Sequence, residues 1–270
     1  IIEGNLGAAN VNVNLDPVLD FDGVNDMVKI AGHADLDFGT GDFTVAGWIT
    51  GLATGGSTGF LCDMRESGNT DEIGLYFSSP NVIYFGGGTN LIQVALPVSA
   101  DDWNHIAVAR ISGNSTLYIN GVAQGSPATD GTDYDASGNT IGVNIGQRYT
   151  NNYLTPMNIA DFRIYKGEGL SAANIAILAS KINGDSSLGA GTTNLKVWLK
   201  INEGTGTSIV NAQGTSATNG VAVNFAMSGA SSNWVFDAFS VNVQDGLASA
   251  GGTTTDGTVT VTQGKLEGLS

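Results

Sequence analysis

Residues 103–125, WNHIAVARISGNSTLYINGVAQG, constrain the chain more than any other stretch. Trp103, His105, Ala107 and Ala109 alternate with Asn104, Ile106, Val108 and Arg110, the two-residue period of a strand. Ser112-Gly113-Asn114-Ser115 supplies turn chemistry, and Leu117, Tyr118 and Ile119 bring the chain back into the sheet. Asn120-Gly121 makes a second tight turn, because glycine tolerates positive φ without a Cβ clash. The pattern predicts two antiparallel strands.

The same alternation recurs along the chain. Residues 18–30 (VLDFDGVNDMVKI) and 41–49 (GDFTVAGWI) read as strands, the second with Phe43, Val45, Gly47 and Ile49 on one face and Thr44, Ala46 and Trp48 on the other. Trp48 is read as a packing residue or, exposed, as a platform for a sugar ring. Residues 60–64, 73–77 and 82–85 are short strands of a meander, and 159–165 is a further strand. Ser171 is placed to cap a short helix over AANIAILAS. The 39 glycines, in a chain that is only 13% charged, fit turns between strands better than helices.

Four blocks carry a family resemblance. They are F-D-G-x-x-D-x-V from Phe21 to Val28, F-T-x-x-x-W-I from Phe43 to Ile49, W-x-H-x-A-V with L-Y-x-N-G from Trp103 to Gly121, and I-x-D-F-R-I-Y from Ile159 to Tyr165 followed by G-x-x-L-S. In this order they resemble the laminin-G-like branch of the concanavalin A-like lectin/glucanase superfamily. The resemblance implies an all-β fold, an antiparallel jelly-roll β-sandwich, with Phe21 and Val28 in its core. It also implies that carboxylates near Asp22 and Asp26 help to hold a structural Ca²⁺, although turn duty explains both residues as well.

One block is out of place. LKVWLKINEGTGT, from Leu195, resembles the strand that opens such a domain, yet it follows the closing strand, and Asn211 stands where relatives carry Asp. Three explanations fit: a circular permutation, the start of a second domain, or pairing with another copy. Permutation is favoured, because an unfinished sheet would expose hydrogen-bonding edges. The chain thus divides into an N-terminal arm (1–15), the sandwich (16–180), a linker (181–194), a strand segment that completes this sandwich or a neighbour's (195–236), and a Gly/Thr-rich β tail read as an assembly element (237–270).

Two loops hold candidate ligand-binding side chains. Residues 126–140 bring Asp130, Asp133 and Asp135 close in sequence, as a Ca²⁺ site or, more simply, a solvated loop. Residues 147–156 carry Arg148, Tyr149, Asn151, Asn152 and Tyr153, aromatic rings interleaved with amide groups, a composition suited to glycans.

Catalytic signatures are missing. The E-x-D-x-E triplet of glucanases does not occur, and Asp71-Glu72 runs on into Ile73-Gly74-Leu75. His33 and His105, the only histidines, sit in a turn and a strand, and no triad is visible. The reading is a protein that is not an enzyme. Its 25 acidic against 10 basic residues, a net charge of −15, argue against nucleic acid and anionic membranes as partners. No run is apolar enough to insert in a membrane. The lone Cys62 cannot form an internal disulfide and reads as a small buried hydrophobe. A start at Ile1, without methionine, reads as a processed or partial product.

The expectation is therefore an extracellular or virion-surface protein, such as a phage capsid decoration or tail-fibre component, with a lectin-like module. Its partners would be glycans or surface polysaccharide, together with further copies of itself or a particle scaffold. The alternatives are a free-standing secreted calcium-dependent carbohydrate-binding module and, behind it, a glycoside hydrolase.

Overall fold

In the computed structural model, strands form wherever apolar side chains alternate, because each alternation buries one face against a partner sheet. The structure describes residues 10–51, 58–68, 72–78, 82–87, 89–95, 102–150, 156–184, 194–214, 216–227 and 233–244. The strands are β1 (Asn10–Asp22), β2 (Met27–Ile30), β3 (Asp37–Gly39), β4 (Phe43–Thr50), β5 (Thr58–Asp63), β6 (Gly74–Ser78) and β7 (Val82–Gly86). Next come β8 (Ile92–Ala95), β9 (Asn104–Ile111), β10 (Asn114–Ile119), β11 (Val122–Ala123), β12 (Ala128–Thr129), β13 (Tyr134–Asp135) and β14 (Val143–Ile145). The series ends with β15 (Pro156–Lys166), helix α1 (Ala172–Leu178), β16 (Leu195–Leu199), β17 (Ser208–Ile209), β18 (Gly220–Val223) and β19 (Trp234–Gln244).

Two large sheets stack as an antiparallel jelly-roll sandwich. The first runs β11-β10-β9-β4-β15-β1-β19, with β12 beside β10 and β16 beside β15. The second runs β17-β18-β2-β14-β5-β6-β7-β8, and β3 pairs with β13 apart from both. Phe21, Val28, Phe43, Val45, Ile49, Leu75, Phe85, Val108, Phe162 and Ile164 belong to one apolar core. The outer side of the first sheet is covered too: Ala46, Ala107, Tyr165 and Trp198 pack with Leu170, Ile175 and Leu178 in and beside α1. Ser171 Oγ accepts from Asn174 N and caps that helix.

The central hairpin turns on Ser112-Gly113, with φ of 49° and 71°, and β10 ends on Asn120-Gly121, with φ of 50° and 80°. Both pairs have the left-handed backbone of a type I′ turn. Asn120 adds a clamp, since its Oδ1 accepts from His105 N at 2.8 Å and its Nδ2 donates to Asn104 Oδ1 at 3.0 Å.

Strand β15 organises the first sheet. β4 runs along one side of it, while β1 pairs with Pro156–Ile159 on the other and β16 with Phe162–Tyr165. Between those stretches Asp161 takes a positive φ of 52° in a bulge. Its carboxylate accepts from Arg163 Nε and from Trp198 Nε1, both at 2.7 Å, which fixes the bulge to β16. In the second sheet β18 pairs with β2, Ala222 opposite Val28.

Residues 18–235 form one compact unit, and residues 1–17 with 236–270 another. Of the second, only residues 10–17 and 236–244 are described, as parts of β1 and β19. Among the described residues no helix is long and apolar enough to cross a membrane.

The segment 126–140 differs from a solvated loop. Asp130, Tyr134 and Ala136 are all buried. The reason is Arg110, fully buried between the Phe43 and Tyr134 rings, with its guanidinium donating to the carbonyls of Gly39, Gly41 and Thr132, each at 2.7 Å. Asp130 stands 3.7 Å away as its counter-ion.

Candidate functional site

The register of the second sheet aligns three rings on the face opposite the core. Phe60 of β5 lies opposite Tyr76 of β6, and Tyr76 opposite Tyr84 of β7. Gln93 of β8 continues the row. Leu75, Phe77, Ile83 and Phe85, one residue to either side, point into the core. Strands lie about 4.8 Å apart, and the rings keep that spacing. Phe60–Tyr76 centroids are 4.9 Å apart at 24°, and Tyr76–Tyr84 centroids 5.0 Å apart at 12°. Phe60 is buried, whereas Tyr76 and Tyr84 are partly exposed. Tyr76 Oη donates to Asn90 Oδ1 at 2.6 Å. Burial raises the Tyr76 phenol above its ordinary value, against the Asn90 contact and the Arg65 and Arg148 charges, so it stays a donor at neutral pH.

Arginines border this row. A bulge in β5 between Phe60 and Cys62 sets Asp63 opposite Gly74. Asp63, fully buried, accepts from Arg65 Nε at 2.6 Å through Oδ1 and from Tyr149 N at 2.9 Å through Oδ2. The Arg65 guanidinium then lies 5.5 Å from the Phe60 centroid and 5.9 Å from that of Tyr76, within cation–π range. Gly74 makes this approach feasible, because a Cβ there would stand 3.0 Å from Arg65 Cζ. Arg148 completes the border, with Cζ 5.2 Å from the Tyr149 ring. Thr58, Phe60, Arg65, Tyr76 and Arg148 enclose a recess of about 210 Å³. A second recess, of about 240 Å³, is lined among the described residues by Asp20, Thr50, Gly51, Pro156, Met157 and Asn158.

Of the loop residues singled out in the sequence, Arg148 borders the aromatic row, and Tyr149 is held near it through its backbone bond to Asp63. Asn151, Asn152 and Tyr153 lie outside the described residues. Trp48 sits on the first sheet, edge-on to His105 with centroids 5.4 Å apart. His105 is buried, and burial, followed by the Arg163 charge, pulls its pKa down to about 3, so it is neutral at physiological pH. Burial pushes the Cys62 thiol up, which leaves it unreactive.

The acidic candidates have other partners. Asp22 Oδ1 accepts from Val24 N, and Asp26 Oδ2 from Asp22 N and Asn233 Nδ2. Asp130 accepts from Ser115 Oγ at 2.6 Å beside Arg110, and Asp135 from Ser137 N at 2.8 Å. Asp133 is exposed. Among the described residues no three His, Cys, Asp or Glu side chains converge where they could hold a metal ion. These partners do not form a calcium donor set, and no step is assigned to calcium.

A family profile for laminin-G domains, described as "Concanavalin A-like lectin/glucanases superfamily", matches residues 22–176. The chain belongs to this superfamily. Among solved structures, a candidate carbohydrate binding protein from Bacteroides ovatus superposes with a TM-score of 0.60 at 16% identity, covering 78% of this chain and 58% of that one. Trypanosoma rangeli sialidase in complex with sialic acid gives 0.46 at 14% identity, over 63% of this chain and 29% of that one. A structure bearing on ganglioside-dependent cell entry of botulinum neurotoxin type C gives 0.42 at 15% identity, over 63% and 46%. The chain spans less than two-thirds of each of these three proteins. At such identities the likeness shows the fold, and only the first structure superposes well enough to count. No curated protein matches the sequence.

Within this concanavalin A-like frame, sequence reasoning placed the strands of Phe60, Tyr76 and Tyr84 but missed their shared outer face. A signal existed: in LYF and IYF the tyrosine is flanked by apolar residues on both sides, so it takes the outward position.

Proposed function

We propose that this protein is a non-catalytic carbohydrate-binding surface protein whose binding face is the outer side of β5–β8. The observation that carries the reading is the aromatic row of Phe60, Tyr76 and Tyr84, stacked at strand spacing with its last two rings open to solvent. A sugar ring presents a face of C–H groups that stacks on tyrosine, and a rim of hydroxyls for Arg65, Asn90 and Gln93. The Bacteroides ovatus relative is described in the same terms. Glycoside hydrolysis normally uses two opposed carboxylates, whereas none is found among the described residues that line the recess, and this supports binding without bond cleavage. The test is a glycan array followed by calorimetric titration of the wild type and of Tyr84→Ala. The variant should lose at least about tenfold in affinity with its melting temperature nearly unchanged. Unaltered affinity would overturn the reading.

A second role in assembly is favoured by one observation: the described residues 10–17 and 236–244, parts of β1 and β19, group in a unit of their own. In this proposal the protein sits outside the cell or on a virion, and its ends engage other copies or a scaffold. Light scattering on the full chain and on a form lacking residues 237–270 tests it. An oligomer that survives the deletion would reject the tail as connector.

A further inference from the structure

We infer that this face binds one sugar ring at a time, stacked on the outward side of Tyr84 as a fourth member of the row, and so recognises a single sugar unit and not a length of chain. The inference rests on the glycan-binding reading of this face and adds the place and size of what is recognised. Its basis is the way the rings face. Phe60 and Tyr76 centroids lie 4.9 Å apart at 24°, and Tyr76 and Tyr84 centroids 5.0 Å apart at 12°. Nearly parallel rings set side by side in one plane would collide at that separation. The rings therefore overlap face to face and stand upright on the sheet. Tyr76 is enclosed between Phe60 and Tyr84, and it meets solvent along its rim, where Oη donates to Asn90 Oδ1. The row is a stack viewed from its edge and not a floor of ring faces.

Tyr84 ends this stack. Tyr76 covers one of its faces, and the other looks across β8, where the register sets Gln93 directly opposite. Gln93 is exposed and Tyr84 partly exposed. A sugar ring standing here keeps the strand spacing and continues the row. Its C–H face lies on the phenol ring, and its lower edge of hydroxyls meets the Gln93 amide, which both donates and accepts. A longer chain finds no second ring. Across the strands the next ring is Tyr76, already covered on both faces. Along the strands, the described neighbours on the same face are Val82 and Gly86 of β7 and Ala95 of β8, and none is aromatic. A stacked ring contributes on the order of tenfold in affinity, and sugar units beyond the first gain none of it.

The test uses the full chain on an array printed with cello-, chito-, manno-, xylo-, malto- and galacturono-oligosaccharides of two, four and six units. Every series that binds is then followed by calorimetric titration. From two units to six, Kd should fall by less than about fivefold, close to the roughly threefold statistical gain from having more places to bind. Tyr84→Ala, with its melting temperature as the folding control, should weaken the two-unit and six-unit members of a series by the same factor. A larger fall in Kd with length, or a six-unit member that keeps its affinity in the variant, shows that further rings are in contact. In either case the inference falls and the glycan reading stands. If no series binds, both fall.

Discussion

Arg65 and Asp63 meet through one short contact, Nε to Oδ1 at 2.6 Å, at the point where β5 leaves its sheet. This pair ties the architecture to the candidate site. The same carboxylate holds the backbone of Tyr149, so one buried anion positions both arginine-bearing segments beside the aromatic row. Replacing Asp63 with Ala should leave a mostly buried guanidinium without its counter-ion. The expected loss is about 3–5 kcal/mol of stability, read from urea unfolding, together with loss of glycan binding. A variant as stable as the wild type would show that the pair is not structural.

Arg110 is the stronger case. Replacing it with Met strands the carbonyls of Gly39, Gly41 and Thr132 and leaves Asp130 unpaired inside the fold. A destabilisation of about 3–5 kcal/mol is expected. Arg110→Lys should recover little, because a single ammonium cannot reach the divergent acceptors of a planar fork.

Asn211 is predicted to be intolerant of Asp. Its Oδ1 accepts from Trp198 N and Gln213 N, while its Nδ2 donates to Lys196 O and Thr218 Oγ1. Asn211→Asp replaces a donor with an acceptor against the Lys196 carbonyl. Stability should fall by about 1–3 kcal/mol at neutral pH and partly recover in acid, when the new carboxyl is protonated. Unfolding curves at two pH values, with and without calcium, check this, and calcium is expected to make no difference.

Asp26 should make stability depend on pH. Burial raises its pKa to about 6, with the Asp22 N–H opposing and the charges of Asp22 and Asp20 adding to the rise. An unfolded aspartate titrates near 3.9. Between about pH 4 and 6 the folded chain thus holds a proton that the unfolded chain has released, so stability declines as pH rises through that window. Asp26→Asn should flatten this part of the profile. A wild-type melting temperature that rises from pH 4 to 6 by the same amount in both proteins would contradict the assignment.

The hairpin of β9 and β10 was legible because everything that defines it is local: two-residue alternation, and turn residues within two positions of each strand end. The cap at Ser171 was legible for the same reason. The aromatic row was not, since it depends on two successive registers and on a bulge between Phe60 and Cys62. Moving the register by one residue would turn Tyr76 into the core. Asp130 looked solvated because its neighbours in sequence are polar; its partner, Arg110, lies twenty positions earlier on another strand. Asn211 was noted for the charge it lacks, while the amide donors that explain it become visible only beside Lys196 and Thr218.

The pairing of Val28 with Ala222 has a consequence for how the molecule is made. Most of the chain separates these two strands, and β15 likewise waits for β16 to cover the rest of its second edge. During synthesis, neither sheet can close when the family-matched region leaves the ribosome. Until β18 emerges, β2 exposes a free edge to which other chains can add. Closure by such distant partners is slow, so this risk of aggregation falls on the nascent chain.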